Sequence, residues 1–217
     1  MKKIASMIRN KNQNNRVQLY QRDDLHYKLL RKMVMDRFLK DYGAVTEPNP
    51  DLFVALDQIA NKNISGACYG IQFASKHQLF SEAYLDHSIE HEVSKRFKKM
   101  VIREEIAEIG CFVSFNLPGS GSTLLRCMPW LFWSLGIRCV VITGTNHVIQ
   151  LLRQHQIPFE PLESYPESKV SHQFKEQWGS YYQQSPVTGL IDIVKACETM
   201  INRSFQNFQI TDCTLVC

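Results

Sequence analysis

The stretch that decides the fold runs from Ile106-Ala107-Glu108-Ile109-Gly110-Cys111-Phe112-Val113-Ser114-Phe115 through Leu117-Pro118-Gly119-Ser120-Gly121-Ser122-Thr123 to Leu124–Leu135, Gly136 and Ile137–Thr143. The first ten residues are apolar and β-prone. The Pro/Gly/Ser run that follows is a turn, Leu124–Leu135 carries a helical period closed by Gly136, and Ile137–Thr143 is again strand-like. The order is strand, glycine turn, helix, strand, which predicts a parallel pair joined by a crossover helix.

Working outward, Asn146–His155 repeats a helical period, and Pro158–Leu162 suits a short edge strand because its prolines cannot donate to a central ladder. Together these give a βαβαβ core. Upstream, Leu25, Leu29, Leu30, Met33, Val34, Phe38 and Leu39 recur at helical spacing, with Asp23 or Asp24 as N-cap and Gly43 as stop. After Pro48-Asn49-Pro50, the runs Leu52–Leu56 and Ser65–Ala74 flank Asn61-Lys62-Asn63 as an antiparallel hairpin. Leu79–Leu85 reads as a short strand or helix, His91–Lys99 as a charged helix, Ser164–Gln177 as a polar loop and Leu190–Ile201 as a terminal helix. The expected fold class is α/β (α+β), a mixed central sheet flanked by helices in a single domain. That domain spans residues 16–205, between a basic arm at 1–15 and a tail at 206–217.

Composition sets the outer limits. The chain has 217 residues, 44% hydrophobic and 21% charged, which is enough for one sizeable core and unlike disordered or collagenous sequences. Its net charge of +4 is uneven: the first 40 residues hold 11 Lys and Arg against 3 Asp and Glu, and the remainder is net acidic. Such a leading segment is either a solvated basic face or a surface for an acyl carrier protein or an anionic membrane; nucleic acid is not expected. No secretory leader is readable before Arg9, and Leu124–Thr143 is broken by Arg126, Pro129, Gly136 and Arg138, which argues against a membrane span. Seven cysteines without a CxxC pair suit reduced thiols in a cytoplasmic protein.

Gly119–Thr123, between a strand end and a helix start, is suited either to hold an anion on free backbone N–H groups or simply to cap the helix, with Ser122 or Thr123 as the cap. It is neither a Walker loop nor GxGxxG. Glu108 is either a general base, if burial raises its pKa, or a paired strand glutamate. Cys111 is a thiol nucleophile or a small buried hydrophobe. His87 and His91 share a face if helical, but no metal site is expected. Trp130, Phe132 and Trp133 form a stripe suited to core packing, or to one wall of an acyl pocket. Trp178, Tyr181 and Tyr182 form an aromatic lid that closes the core or covers a site, where one hydroxyl serves as acid.

The element order resembles the GNAT acyltransferases. That resemblance implies an acyl-CoA whose pyrophosphate lies on Gly119, Ser120, Gly121, Ser122 and Thr123 and whose thioester lies along the preceding strand, with Asn146 near it. It also implies that the amides of Cys111, Phe112 and Val113 polarise the thioester carbonyl. The Arg/Gln-x-x-Gly-x-Gly/Ala signature of those enzymes is incomplete here. Glu108 followed by Thr143 is similar to acyl-homoserine lactone synthases, which use an acyl carrier protein.

Leu79-Phe80-Ser81-Glu82-Ala83-Tyr84-Leu85-Asp86 with Ile89-Glu90, Ala107-Glu108-Ile109-Gly110, Thr143-Gly144-Thr145 and Trp178-Gly179-Ser180-Tyr181-Tyr182 resemble the thermostable hemolysin family over about residues 20–190. Members often carry Asn at the position of Cys111 and Arg at that of Thr123. The resemblance implies an acyltransferase with Glu108, Tyr181 and Tyr182 as catalytic groups. It would move an acyl group from acyl-CoA or acyl carrier protein to a small-molecule or lipid acceptor. Haemolysis would follow indirectly. The alternatives are a toxin that disrupts membranes directly and a fold retained only for protein binding.

Overall fold

The computed structural model describes residues 6–10, 13–58, 66–115, 117–162, 176–201 and 208–213. Its centre is one sheet of nine strands: β1 (Ser6–Asn10), β2 (Gln13–Gln21), β3 (Leu52–Gln58), β4 (Ala67–Phe73), β5 (Ile106–Ser114), β6 (Cys139–Gly144), β7 (Glu160–Pro161), β8 (Val187–Asp192) and β9 (Phe208–Cys213). Their spatial order is β7-β8-β6-β5-β4-β3-β2-β1-β9. Only β5 and β6 run parallel; every other pair is antiparallel. Among the described residues five α-helices of nine or more residues cover it: α1 (Leu25–Tyr42), α2 (Ile89–Phe97), α3 (Ser120–Ser134), α4 (Asn146–Gln154) and α5 (Ile193–Ile201).

Strand alternation assigns the layers, because successive side chains leave a strand on opposite faces. Leu52, Val54 and Leu56 of β3, Tyr69 and Ile71 of β4, and Val140 and Ile142 of β6 pack with Leu124, Leu125 and Phe132 of α3, Leu152 of α4 and Ala196 of α5. The intervening Phe53, Ala55 and Cys68 face Tyr27, Leu30, Val34 and Phe38 of α1. Further along that second face, Cys139, Val141 and Leu190 meet Ile89 and Val93 of α2. The result is a mixed sheet between two helical layers, as the sequence predicts.

α1 starts after Asp24 and stops at Gly43, whose φ of 67° allows its N–H to reach the Leu39 carbonyl. The hairpin β3–β4 is present, although its Asn61–Asn63 connection lies outside the described residues. Four expectations change. Leu190–Ile201 is not one helix: β8 takes Val187–Asp192 and α5 begins at Ile193, where Asp192 Oδ1 accepts the N–H groups of Val194 and Lys195 at 3.0 and 3.2 Å. β8 is inserted between β6 and β7 and runs antiparallel to both, so the second half of the expected βαβαβ unit keeps its two strands in the same direction but not side by side; β7 does lie at the sheet edge. α3 begins at Ser120, because Gly119 at φ 76° turns the chain early. Ser122 and Thr123 are therefore inside the helix, and the N-cap is Gly119. Finally, β1 with the start of β2, and β9, lie in the stretches read as arm and tail. Most of Ser164–Gln177 falls outside the described residues. Among the described residues no helix is long and apolar enough to cross a membrane.

Candidate active site

β5 and β6 pair from Ile106–Cys139 to Ile109–Ile142 and then part, while β5 continues on β4 to Ser114. Beyond Ile109, the edge of β5 that faced β6 has no strand partner among the described residues. A cavity of about 570 Å³ opens there, lined by both strands, by the end of α1 and by Gln177, Trp178 and Tyr181.

A bulge shapes its floor. Cys68 pairs with Val113 and Gly70 with Gly110, so β5 fits two residues between these pairs where β4 has only Tyr69. Cys111 takes the strain, with φ at 57°. The extra residue reverses the alternation: Ile109 and Phe112 both pack toward the α3–α5 layer, while Cys111 and Val113 pack toward α1. Asn tolerates this left-handed backbone better than Cys does, so a substitution to Asn would relieve the strain held at Cys111.

Glu108, 4% exposed, lies before the bulge and lines the cavity. Burial pushes its carboxyl up to about 7, against the pull of Ser81 and the Phe80 backbone N–H. The Ser81 N–H donates to both carboxylate oxygens, at 3.0 and 3.3 Å. Ser81 belongs to a 3-10 turn, Phe80–Tyr84, that is stapled from outside. Arg103 Nη1 and Nη2 donate to Glu82 at 2.9 and 2.7 Å, Nη1 also reaches Glu90 at 3.0 Å, and Nε and Nη2 donate to the Ala74 and His77 carbonyls. That network holds the Glu82 carboxyl below its usual range, although burial alone would raise it.

The Cys111 thiol is pushed up to about 12, first by burial and then by Glu108, so it stays a neutral thiol. Tyr181 is raised by burial and keeps its proton; its hydroxyl donates to the Thr143 carbonyl at 3.3 Å. Its segment is anchored on α1: Ser180 N–H donates to the Tyr42 carbonyl at 2.8 Å and Val45 N–H to the Gln177 carbonyl at 2.7 Å. Gly179, at φ 53°, is required there, because a Cβ would stand 2.1 Å from the Tyr42 oxygen.

Glu108, Cys111, Phe112 and Tyr181 thus meet in one cavity. Val113 is buried against the α1 layer and offers only its backbone. Tyr182 packs on Trp178 and Tyr181 outside the lining. Asn146 is exposed at the start of α4, while the neighbouring Thr145 and Val148 line the cavity. Gly119, Ser120, Gly121, Ser122 and Thr123 do not line it either. Their link is Phe112, whose ring lies 3.2 Å from where a Cβ on Gly121 would stand. Ser120 Oγ lies 3.0 Å from Ser114 Oγ, and the amides of Ser120 and Thr123 are spent on the Leu117 and Gly119 carbonyls, which leaves Gly121 and Ser122 as donors of that first turn.

The aromatic stripe on α3 is divided: Phe132 is buried, Trp130 partly buried, and Trp133 is 56% exposed. The His87 and His91 rings are 4.8 Å apart, and no group of three metal-ligating side chains occurs among the described residues. Sequence reasoning missed Arg103, whose neighbours Glu104 and Glu105 make it look like ordinary surface charge. It also missed Phe38 and Tyr42, whose i, i+4 spacing near the helix end was the available signal.

A profile of the family described as Thermostable hemolysin matches residues 20–197. No curated protein matches the chain in sequence. Among solved structures, the AHL synthase LasI superposes with a TM-score of 0.57 at 12% identity, covering 92% of this chain and 99% of its own. BjaI, a CoA-dependent acyl-homoserine lactone synthase solved with SAM and isopentyl-CoA, gives 0.54 at 11% identity over 91% and 89%. FeeM, an N-acyl amino acid synthase from uncultured soil microbes, gives 0.53 at 11% identity over 85% and 96%. At such identities the likeness is one of fold.

Proposed function

The chain belongs to the thermostable hemolysin family, and from that membership and its cavity we propose that it is an acyltransferase, with acyl-CoA or acyl carrier protein as donor. The observation that carries this reading is the buried Glu108 beside the β5 bulge, inside a cavity that opens where β5 and β6 part. Its structural relatives LasI, BjaI and FeeM are acyl-transferring synthases by name, which supports it.

The chemistry assigned to these residues is a single displacement. An N–H or O–H of the acceptor gives its proton to Glu108 as the nucleophile attacks the thioester carbonyl. The amides on the free β5 edge at Cys111–Val113 meet the developing oxyanion. The C–S bond then breaks and the thiolate leaves on a hydrogen bond from the Tyr181 hydroxyl, taking the proton that Glu108 received, so that overall one proton passes from acceptor to thiol. Tyr181 has this role rather than Tyr182, because only its ring lines the cavity. The α3 turn, with its Gly121 and Ser122 amides, takes the donor's phosphate.

Incubating the purified protein with an acyl-CoA series, acylated carrier protein and pooled acceptors tests this, with thiol release and product mass as readouts. Acceptor-dependent thiol release is expected, and Glu108→Gln should abolish it. No release from any donor, together with cofactor-free leakage of dye-loaded liposomes, would overturn it in favour of direct membrane disruption.

A further inference from the structure

The cavity joins two chemically different halves. On the α3–α5 side its walls are Ile109, Phe112, Ile142 and Val148, which carry no titratable group and suit an acyl chain. On the α1 side, Phe38, Tyr42, Phe80, Trp178 and Tyr181 form one connected set of rings. Trp178 lies 5.1 Å from Tyr181 and 5.5 Å from Phe80, and Tyr42 lies 5.3 Å from Tyr181. The carboxyl of Glu108 opens into the same space, and Glu47, paired with Arg31 at 3.1 Å, lies along the wall. Among the described residues no Lys, Arg or His lines the cavity.

Gln72 spends an amide N–H on the Gln78 carbonyl at 3.1 Å, with its amide oxygen as acceptor. The Thr46 hydroxyl is buried without a hydrogen-bond partner among the described residues. Ring faces attract cations, and a carboxylate ligand brought beside Glu108 would lose its water with no cation among the described lining residues to meet it.

We propose that the acceptor is a cationic amine that carries no carboxylate, held by the Phe38–Tyr42–Phe80–Trp178–Tyr181 rings with its nitrogen directed to Glu108. This identifies the acceptor class for the acyltransferase reading and rests on it. The amine arrives as an ammonium and gives one proton to Glu108, then attacks the thioester as the neutral amine, and a second N–H proton passes to the departing thiolate as the C–N bond forms and the C–S bond breaks.

Calorimetry on the full chain tests the site without turnover, using matched probes: phenethylamine, phenylalanine and 2-phenylethanol, then cadaverine and lysine. At least one amine should bind about tenfold more tightly than its amino acid, and phenethylamine more tightly than the alcohol. Trp178→Leu should shrink the advantage several-fold. Equal or tighter binding of the amino acids overturns the proposal, as does equal binding of phenethylamine and phenylethanol, or binding of neither amine at millimolar concentration. A parallel thiol-release assay with the same amines keeps the two readings apart. Amine preference without thiol release removes the acyltransferase reading alone, whereas thiol release only with amino acids or alcohols removes the amine site alone.

Discussion

Ser81 donates its backbone N–H to both carboxylate oxygens of Glu108, at 3.0 and 3.3 Å, across 27 residues of sequence. The contact joins the 3-10 turn to β5 at the point where β5 is about to leave β6. It steers a carboxyl that burial holds near neutrality, so the same group can be a base at pH 8 and an acid at pH 6.

The pH dependence of turnover follows. A base acts only when ionised, so kcat/KM for acyl transfer should climb about tenfold per pH unit below about 7 and level off above it. Glu108→Gln should lower kcat by about 10²–10⁴-fold while donor affinity stays within a few-fold. Stopped thiol-release assays between pH 5 and 9 measure both. A flat profile in the wild-type protein would remove Glu108 as the base.

Stability carries the opposite sign. The folded carboxyl keeps its proton up to about 7, whereas the unfolded one loses it near 4.5. Between those values the native state binds more protons, so stability falls as pH rises, by about 3 kcal/mol in all. Glu108→Gln lacks this loss. Urea unfolding should find the two proteins diverging from pH 4.5 to 7, with the variant gaining, and then running parallel. Parallel behaviour throughout would show that the carboxyl is not desolvated.

Arg103 sets the position of the turn that supplies Ser81. Its guanidinium is about a quarter exposed and its partner Glu82 is buried, so removing it leaves a carboxylate with little water and no cation. Arg103→Leu should cost about 3 kcal/mol, and Arg103→Lys should recover little because an ammonium cannot make the paired contacts. Because the folded Glu82 pKa is depressed, the stabilisation it carries is present above about 4.5 and is lost as pH falls through the folded value. Acid unfolding followed by circular dichroism should therefore begin at higher pH in Arg103→Leu. An unchanged midpoint would rule out the staple.

Much of this was legible in the sequence, and the misses have physical causes. The β5–turn–α3–β6 order is encoded locally, by apolar runs broken at Pro118, Gly119 and Gly136, and it came through. β8 did not, because Leu190–Ile201 also satisfies a helical period. What separates strand from helix there is Asp192 capping α5 and the pairing of Val187–Asp192 with β6, and the second is non-local. For the site, Glu108 and the aromatic segment could be named from the resembled motifs. The bulge that places Cys111 beside Glu108 is a register property of two strands, and no single strand's alternation reveals it. Arg103 was invisible for a related reason, since its five contacts are made with segments up to 29 residues away.

Cys111 tests the bulge by its reactivity. With the thiol pushed up to about 12, its thiolate fraction at pH 8 is about a thousandfold below that of an ordinary cysteine near 9. Iodoacetamide followed by peptide mass mapping should leave Cys111 unlabelled on the native protein and label it readily after urea unfolding. Rapid native labelling would mean that Cys111 is open to solvent or paired with a base, and the thiol would return as a candidate nucleophile.

Gly179 offers the sharpest structural test, because one methyl group decides it. The residue sits at φ 53°, and an added Cβ would overlap the Tyr42 carbonyl oxygen, which already accepts the Ser180 N–H at 2.8 Å. Backbone cannot yield as a side-chain tip does, so Gly179→Ala must move the 177–181 segment away from α1. The cost should exceed about 1 kcal/mol, since alanine is strained at positive φ even without the clash. The functional loss should be larger than the stability loss, because Trp178 and Tyr181 ride on that segment and wall the cavity. Thermal unfolding and acyl-transfer assays on the same preparation separate the two effects. If Gly179→Ala keeps both its melting temperature and its turnover, the anchoring of the aromatic wall on the end of α1 is wrong.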